Sequence, residues 1–387
     1  MIPVQYNLRS LMVRRVTSAS TALVISLVVM ILFILSGFIA GLRATVLGSA
    51  DEGDWIILSR GTTTEPNSFI TREQYEILSS RPQIAQSSNG QKLISPEIIT
   101  GFNPAPEKPF DQVIFTFLRG VYPVAYEVHR GMRLERGRWP AGGAAEFAVG
   151  RKLAARFPNL RPGSVFRFGR REWTIVGVFS DGDSARESEV ITDLNVLAQD
   201  VRYANGFAAI HVVLRPGSSA SFEKSLTGDA RLRVDAITEA DFYAAQTRFV
   251  DQLRGLGLAV ALLLAIGTVF GAMNTMYAAV ARRTGEIGVL RALGFGRFDV
   301  LVSFMAESIL LGVAGGALGE ILGLAVAYGV GLRGQLMNVG AYIFTFRLPV
   351  SAFISGILAA IAIGAAGGIL PAWRASRIGI SESLRAV

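Results

Sequence analysis

The residue types that usually carry covalent or metal chemistry are scarce in this chain. There is no cysteine, so neither a disulfide framework nor a thiolate metal site can form. The only two histidines, His129 and His211, stand far apart in sequence. A histidine-based catalytic or metal centre is therefore not expected, and both are read as ordinary domain residues. A phosphate-binding loop needs Gly-x-x-x-x-Gly-Lys-Ser/Thr, and the chain has no Gly-Lys pair. Neither a Gly-x-Ser-x-Gly nucleophile turn nor a His-Glu-x-x-His zinc motif occurs. No catalytic residue and no metal ligand is assigned, and the chain is not expected to be an enzyme on its own.

The polar residues that remain unusual are so because of what surrounds them. Glu307 and Glu320 lie inside a long apolar stretch, and Asn274 inside another. An ionisable group at such a place is costly and marks a candidate functional position. Glu307 is read as structural, near one end of its span. For Glu320 two readings stay open: it faces a cavity between subunits, or it reaches the outer interface. Asn274 could hydrogen-bond across helices or simply pack.

Four apolar stretches are long enough to cross a bilayer as helix, which takes about 20 residues. They run from about Ser20 to Leu42, Leu256 to Ala281, Val300 to Gly329 and Val350 to Leu370. Hydrophobic residues make up 51% of the 387-residue chain and charged ones 18%, against roughly 25% charged in an average soluble domain. That shift fits part membrane and part water-facing protein. The first stretch follows basic residues, as a signal peptide would. Its apolar core exceeds the 7–15 residues of a signal, so it is expected to be an uncleaved anchor.

The formal charge is +8, yet nucleic-acid binding is not expected, because of where the charge sits. The segment from Arg43 to Val250 is nearly neutral. The surplus is arginine beside the apolar runs: Arg9, Arg14 and Arg15; Arg282, Arg283, Arg291 and Arg297; Arg374, Arg377 and Arg385. Such bias orients membrane proteins. It places both termini and the loop after the second span in the cytoplasm. The large segment between the first two spans then lies outside, with the loop carrying Arg333 and Arg347.

That large segment reads as mixed α and β. Strand-like runs are Trp55–Ser59, Val113–Leu118, Phe147–Val149, Val165–Phe168, Thr174–Phe179 and Ile210–Leu214. Gly169-Arg170-Arg171-Glu172 is bracketed as a hairpin turn would be. Thr71 to Gln74 predicts a capping box, and Asp193 to Tyr203 a second helix. Pro- and Gly-rich loops fill Asn103–Pro109 and Pro140–Gly143. Thr238 to Asp241 could cap a further helix, along which Phe242, Ala245, Phe249, Leu253 and Leu256 recur at helical steps. That stripe is read as a stalk running into the second span, or as a helix packed on the domain. The fold class is therefore α+β: four transmembrane helices with a large mixed α/β domain inserted between helices 1 and 2. The segments are 1–19 cytoplasmic, 20–42 span, 43–252 outer domain with stalk, 253–281 span and 282–299 cytoplasmic loop. They continue as 300–330 span, 331–349 short outer loop, 350–371 span and 372–387 tail.

The loop from Arg282 to Arg297 is the most informative stretch. Ile287, Leu290 and Leu293 fall on one side of a short helix, with charges around them. Such a helix can lie in the membrane interface or dock into a partner's groove. Glycines at Gly312, Gly315, Gly316, Gly319 and Gly323, at Gly267 and Gly271, and at Gly364 and Gly368 give small-x-x-x-small spacings that let helices approach. Packing within one subunit and a dimer seam both remain open.

Glu286-Ile287-Gly288-Val289-Leu290-Arg291-Ala292-Leu293-Gly294 closely resembles the Glu-Ile-Gly-x-Leu-Arg-Ala-Leu-Gly signature of the FtsX/MacB-like permease family, which includes the LolC and LolE lipoprotein-release subunits. The resemblance extends to Met273-Asn274-Thr275-Met276 and to Glu307-Ser308-Ile309-Leu310-Leu311-Gly312. It also takes in the tail from Pro371 to Arg377 with Glu382-Ser383-Leu384-Arg385. Val149 to Ala154, Pro162-Gly163 and Trp173 to Val178 are similar to the family's periplasmic pattern. Glu320 has no counterpart in it.

The resemblance implies the permease subunit of an ATP-binding cassette (ABC) export or extrusion complex in the bacterial inner membrane. It implies a separate ATPase subunit carrying ATP and Mg, no cofactor on this chain, and a second permease copy, identical or paralogous. A periplasmic adaptor is a further expected partner. The loop helix becomes the coupling helix, with Glu286, Ile287, Leu290 and Arg291 as its contact residues. Motion of the outer domain, driven by ATP and passed through the stalk, would extrude an amphiphile, a lipoprotein or a peptide. The cell-division branch of the family offers another reading, a transducer that activates a periplasmic cell-wall hydrolase. The size of the outer domain favours the MacB/LolC branch.

Overall fold

The computed structural model describes residues 15–50, 53–105, 115–203, 205–329 and 336–379. Arg9, Arg14, Arg333, Arg385 and the Glu382–Arg385 stretch lie outside these, as do parts of the Asn103–Pro109 loop and of the Val113–Leu118 run.

The chain begins with α1 (Arg15–Leu47), β1 (Asp54–Ser59), a 3-10 turn (Glu65–Asn67), β2 (Ile70–Thr71), α2 (Arg72–Ser79), β3 (Ile94–Phe102) and β4 (Thr116–Val121). There follow α3 (Ala125–Val128), β5 (Arg133–Gly137), β6 (Glu146–Gly150), α4 (Arg151–Arg156), β7 (Val165–Phe168) and β8 (Arg171–Ser180). A second 3-10 turn (Ala185–Ser188) leads to β9 (Val190–Asp193), α5 (Leu194–Asp200), β10 (Gly206–Phe207), β11 (Ala209–Val213), α6 (Ser219–Thr227) and β12 (Val234–Thr238). The rest is α7 (Glu239–Gln246), α8 (Arg248–Arg282), α9 (Thr284–Ala292), α10 (Arg297–Gly329), β13 (Leu336–Val339), β14 (Tyr342–Thr345) and α11 (Val350–Arg377).

These elements divide into two compact units. One is α/β and consists of Gly41–Val250 with Leu336–Thr345; the other is helical. Among the described residues four helical stretches are long and apolar enough to cross a membrane: Ser18–Leu47, Glu239–Arg282 (α7 running on into α8), Arg297–Gly329 and Val350–Arg377.

In the helical unit, α10 is packed on two sides through its glycines. A Cβ at Gly319 would lie 2.5 Å from the Ser26 carbonyl oxygen of α1, and one at Gly323 would lie 2.7 Å from Phe33. On the other side, a Cβ at Gly312 would lie 2.5 Å from the Ala360 carbonyl oxygen of α11, and one at Gly316 would lie 2.7 Å from Ala360 Cβ. Ser308 Oγ adds a hydrogen bond to the Gly364 carbonyl at 2.6 Å. Between helices in lipid, such close approach supplies the packing that hydrophobic burial cannot. These glycines thus serve packing inside one chain. Gly267 and Gly271 on α8 differ: a Cβ at either would meet nothing within 4 Å among the described residues.

The α/β unit is built on one sheet in the order β12-β1-β11-β3-β4-β9-β6-β8-β5, with β7 added on β8. The β4–β9 and β6–β8 pairs are parallel; the others are antiparallel. Side chains alternate across a strand, so register sorts them by face. One face carries two apolar cores. The first holds Trp55, Ile57, Ile210, Val212 and Phe222, and the second Ile98, Leu118, Phe147, Trp173 and Val190. The predicted hairpin forms, with Phe168 paired to Arg171 around Gly169 at φ +61°. The capping box of Thr71 and Gln74 forms, and Asp193 and Thr238 cap α5 and α7. The segment between the third and fourth long helices, read as a short loop, is instead the β13–β14 hairpin. Ile343 of this hairpin is buried in the second core, and its N–H donates to Ser188 Oγ at 2.9 Å.

The expected stalk stripe does not form one buried face. Phe242 is buried, whereas Ala245, Phe249 and Leu256 are exposed. α7 closes at Thr247, which keeps near-helical torsions before α8 begins.

Candidate functional site

The signature loop folds as α9. Its end follows from the Leu293-Gly294 pair. Gly294 takes φ +97°, a conformation that favours glycine. Its N–H donates to the Arg291 carbonyl at 3.2 Å, and the Phe295 N–H to the Leu290 carbonyl at 3.2 Å. This is the Schellman arrangement that satisfies a helix's last carbonyls.

The four residues expected to contact a partner separate by face. Ile287 is buried in a core with Met276, Val280, Val300, Phe304 and Ala372. Leu290 is half-buried. Arg291 is also half-buried, and its Nη1 donates to the Ile378 carbonyl at the end of α11, 2.7 Å away. A cation there also complements the negative end of that helix. Only Glu286 is exposed. The outward surface is made instead by Val289, Leu293 and Phe298, which are 49%, 72% and 71% exposed. The expected stripe of Ile287, Leu290 and Leu293 does not share one face: Ile287 is buried, Leu290 half-buried and Leu293 exposed. The signal for the outward set is that Val289 and Leu293 lie one helical turn apart on the opposite side.

Glu307 explains how α9 is fixed. It is buried, and Arg283 Nη1 reaches it at 2.9 Å, while Arg283 Nε reaches Glu286 at 2.9 Å. The guanidinium also lies over the Phe304 ring, 5.2 Å from its centroid. One arginine therefore joins a buried carboxylate of α10 to an exposed one of α9. Charge-assisted contacts of this kind are the strong ones. Glu320 is half-buried on α10. Its Oε1 is buried beside Gly356, 2.8 Å from a Cβ placed there, and has no hydrogen-bond partner among the described residues. Asn274 is exposed on α8.

A second constellation has no counterpart in the sequence pattern. His129 and His211 meet in the α/β unit, with ring centroids 4.7 Å apart. β11 turns His211 away from the apolar face that Ile210 and Val212 share, and β3 turns Glu97 the same way. His211 Nδ1 donates to Glu239 at 2.8 Å and Nε2 to Glu65 at 3.1 Å. His129 Nε2 donates to Glu97 at 2.8 Å, while its Nδ1 is buried without a hydrogen-bond partner among the described residues. Arg119 reaches Glu97 at 2.6 Å, Glu65 at 2.9 Å and Glu189 at 2.6 Å. Arg186 reaches Glu239 at 3.0 Å. Burial opposes charge on Glu65, but Arg119 and His211 overcome it and hold the carboxyl at about 2. Burial likewise opposes a charged His211, yet Glu97, Glu239 and Glu65 raise it to about 10. His129 is lowered, chiefly by burial and the Arg186 charge.

Could this cluster hold a metal? Glu97, His129 and His211 offer ligand atoms within 4.8 Å of one another. A metal needs imidazole lone pairs, and both nitrogens of His211 are committed as proton donors to carboxylates. Arg119 already neutralises two of the acids. The arrangement fits an ionic tie between strands, turns and α7 better than a metal centre.

Comparison with known proteins agrees with the loop and extends beyond it. The profile of the MacB-like periplasmic core domain matches residues 18–228, and that of the FtsX-like permease C-terminal region matches residues 258–380. A macrolide export ATP-binding/permease protein, MacB, from Mannheimia succiniciproducens is 26% identical over 68% of this chain and 42% of its own length. The chain thus spans less than half of that relative. An uncharacterized ABC transporter permease from Methanocaldococcus jannaschii is 26% identical over 66% of each chain. The crystal structure of the periplasmic region of MacB from Actinobacillus actinomycetemcomitans aligns with 52% of this chain and 95% of its own, at 13% identity and a TM-score of 0.37. With two profiles together spanning most of its length, the chain is a multi-pass membrane protein that belongs to the FtsX/MacB-like family of ABC transporter permeases.

Proposed function

We propose that this chain is the permease subunit of an export or extrusion complex whose ATPase is a separate chain docking on the outer face of α9. The observation that carries this reading is the exposed apolar surface of Val289 and Leu293 on α9 and its cap, continued by Phe298 at the start of α10, on a helix anchored through Arg283, Glu307 and Arg291. A rigid helix with an apolar outer face suits docking into a partner's groove. An anchor without an ATPase has no use for it. In this reading α9 and both termini are cytoplasmic, the membrane is the bacterial inner membrane, and the α/β unit is periplasmic.

The chain path supports mechanical coupling. The α/β unit takes its residues from Gly41–Val250 and from Leu336–Thr345, so the segment between α10 and α11 enters it as well as the one between α1 and α8. Motion of the helices would then reach the domain through several connections. A second permease copy completes the complex, and the open Gly267 and Gly271 positions on α8 suit close approach by another helix. A periplasmic adaptor is a further partner in this reading. Relatives named for macrolide and pyoverdine export favour an amphiphile as substrate, with a lipoprotein or peptide within the same class.

The test is co-purification in detergent with a cassette ATPase encoded nearby, followed by an ATPase assay. The wild-type chain is expected to retain the ATPase, and Val289→Asp with Leu293→Asp to release it. An ATPase that never associates with the wild-type chain sinks the proposal.

A further inference from the structure

A cavity of about 850 Å³ opens in the helical unit between the last turns of α8 and α11. Asn274 and Tyr277 line it from α8, and Leu370, Trp373, Arg374 and Arg377 from α11. The size falls within the range of small-molecule sites, roughly 300–1,000 Å³. Its chemistry is one-sided. The Arg377 guanidinium lies over the Trp373 ring, 4.0 Å from its centroid, and that of Arg374 over Tyr277 at 5.8 Å. Among the described residues no acidic side chain lines the cavity, and no carboxylate forms an ion pair with either arginine. Elsewhere in this chain exposed arginines such as Arg138, Arg151 and Arg231 have acidic partners. Here aromatic faces hold both cations in place instead. Such stacking leaves the N–H edges of a guanidinium available for oxygen acceptors.

The position narrows the ligand. α8 ends at Arg282 and α11 at Arg377, each closing a span that is long and apolar enough for a membrane. Trp373 and Tyr277 sit in those last turns, where aromatic residues mark the boundary between hydrocarbon and headgroup. Toward the span interior the wall is made by Leu370, 50% exposed, with the Asn274 amide at the same depth on α8. A ligand that fits must offer an anionic oxygen group at the arginine end and hydrocarbon at the other. Basic pockets between helices at this depth bind lipid headgroups.

We infer that this cavity is a binding site for an anionic glycerophospholipid of the leaflet bordering the arginine-rich face. The phosphate accepts from Arg374 and Arg377, the Asn274 amide offers a further donor, and an acyl chain lies along Leu370. The inference requires only that the helices span the membrane and is independent of the ATPase partner.

The test is native mass spectrometry of the full chain in detergent, titrated with phosphatidylglycerol, with phosphatidylcholine, and with inorganic phosphate. Wild type is expected to retain phosphatidylglycerol in preference to phosphatidylcholine. At about 1 kcal/mol per arginine, Arg374→Gln with Arg377→Gln should weaken phosphatidylglycerol roughly 30-fold and leave phosphatidylcholine unchanged. Arg374→Lys with Arg377→Lys keeps the charge and should keep most of the preference, which separates lost binding from lost folding. Equal retention of both lipids by wild type, or undiminished phosphatidylglycerol in the Gln variant, overturns the site. Inorganic phosphate competing as well as the lipid makes it a soluble-anion site and overturns the lipid. A lipid-free dimer that the Gln variant splits assigns the face to a second copy and overturns the inference too.

Discussion

The helical unit and the α/β unit solve opposite problems with opposite residues. In the helical unit, α10 meets its neighbours by removing side chains, so that Gly312, Gly316, Gly319 and Gly323 bring backbones together. A buried ion pair of this unit, Arg283–Glu307, sits at the end of the spans. In the α/β unit, one face of the sheet buries Arg119, His211 and Glu97 at 1% exposure or less. There the tie between elements is ionic. The difference shows in what each unit tolerates. Glycine packing fails when volume is added, and an ionic cluster fails when one member is taken away.

The largest expected effect follows from that contrast. Arg119→Ala leaves Glu65, Glu97 and Glu189 without their shared partner and should destabilise the α/β unit by about 3–5 kcal/mol. Thermal unfolding of the full chain, read at Trp173, checks it; a change below about 1 kcal/mol would mean that the cluster is not what binds these elements. On the helical side, Gly319→Leu should cost about 1–3 kcal/mol through overpacking, whereas Gly267→Leu should leave the isolated chain almost unaffected. Equal losses at the two positions would break the distinction between closed and open glycines.

The pH response should come from the α/β unit. Glu65 is held at about 2, below its ordinary 4.5. Its stabilisation is present above pH 4.5 and is lost as pH falls toward 2. His211 is raised from 6.5 to about 10. Its stabilisation is complete below pH 6.5 and is lost as pH rises through 10. His129, being lowered, opposes stability when it must protonate below 6.5. Melting temperature against pH should therefore show an alkaline decline from pH 6.5 that His211→Gln removes. An unchanged alkaline limb in that variant contradicts the charged state assigned to His211. The smallest effect is expected at the α9 cap, where Gly294→Ala forces a side chain into φ +97° and should cost about 1 kcal/mol.

The same contrast explains what can be read from the amino-acid order. Hydropathy and arginine bias are local quantities, so the four long helices and the family signature are legible. So are the capping residues Thr71, Asp193 and Thr238, whose partners lie three residues on. β3 is not, because Pro96 argues against an interior strand and Ser95 and Glu97 read as solvent-facing; they face the buried ionic cluster instead. The histidine pair is hidden because His211 sits on β11 and His129 at the end of α3, and the two meet around Glu97 of β3, a long-range arrangement that no local pattern encodes. On α9 the pattern marks an amphipathic helix correctly. It does not say which apolar side faces the chain's own core, and Ile287 faces inward while Leu293 faces out.

That last distinction decides the central claim. The chain has no cysteine, so a single introduced thiol reports on its own position. Leu293→Cys and Ile287→Cys variants, each purified with the cassette ATPase, would be treated with a short thiol-to-amine crosslinker. The account predicts a permease–ATPase crosslink from Leu293→Cys, sensitive to added nucleotide, and none from Ile287→Cys. A crosslink from Ile287→Cys alone, or from neither variant in a complex that hydrolyses ATP, would contradict docking on the outer face of α9.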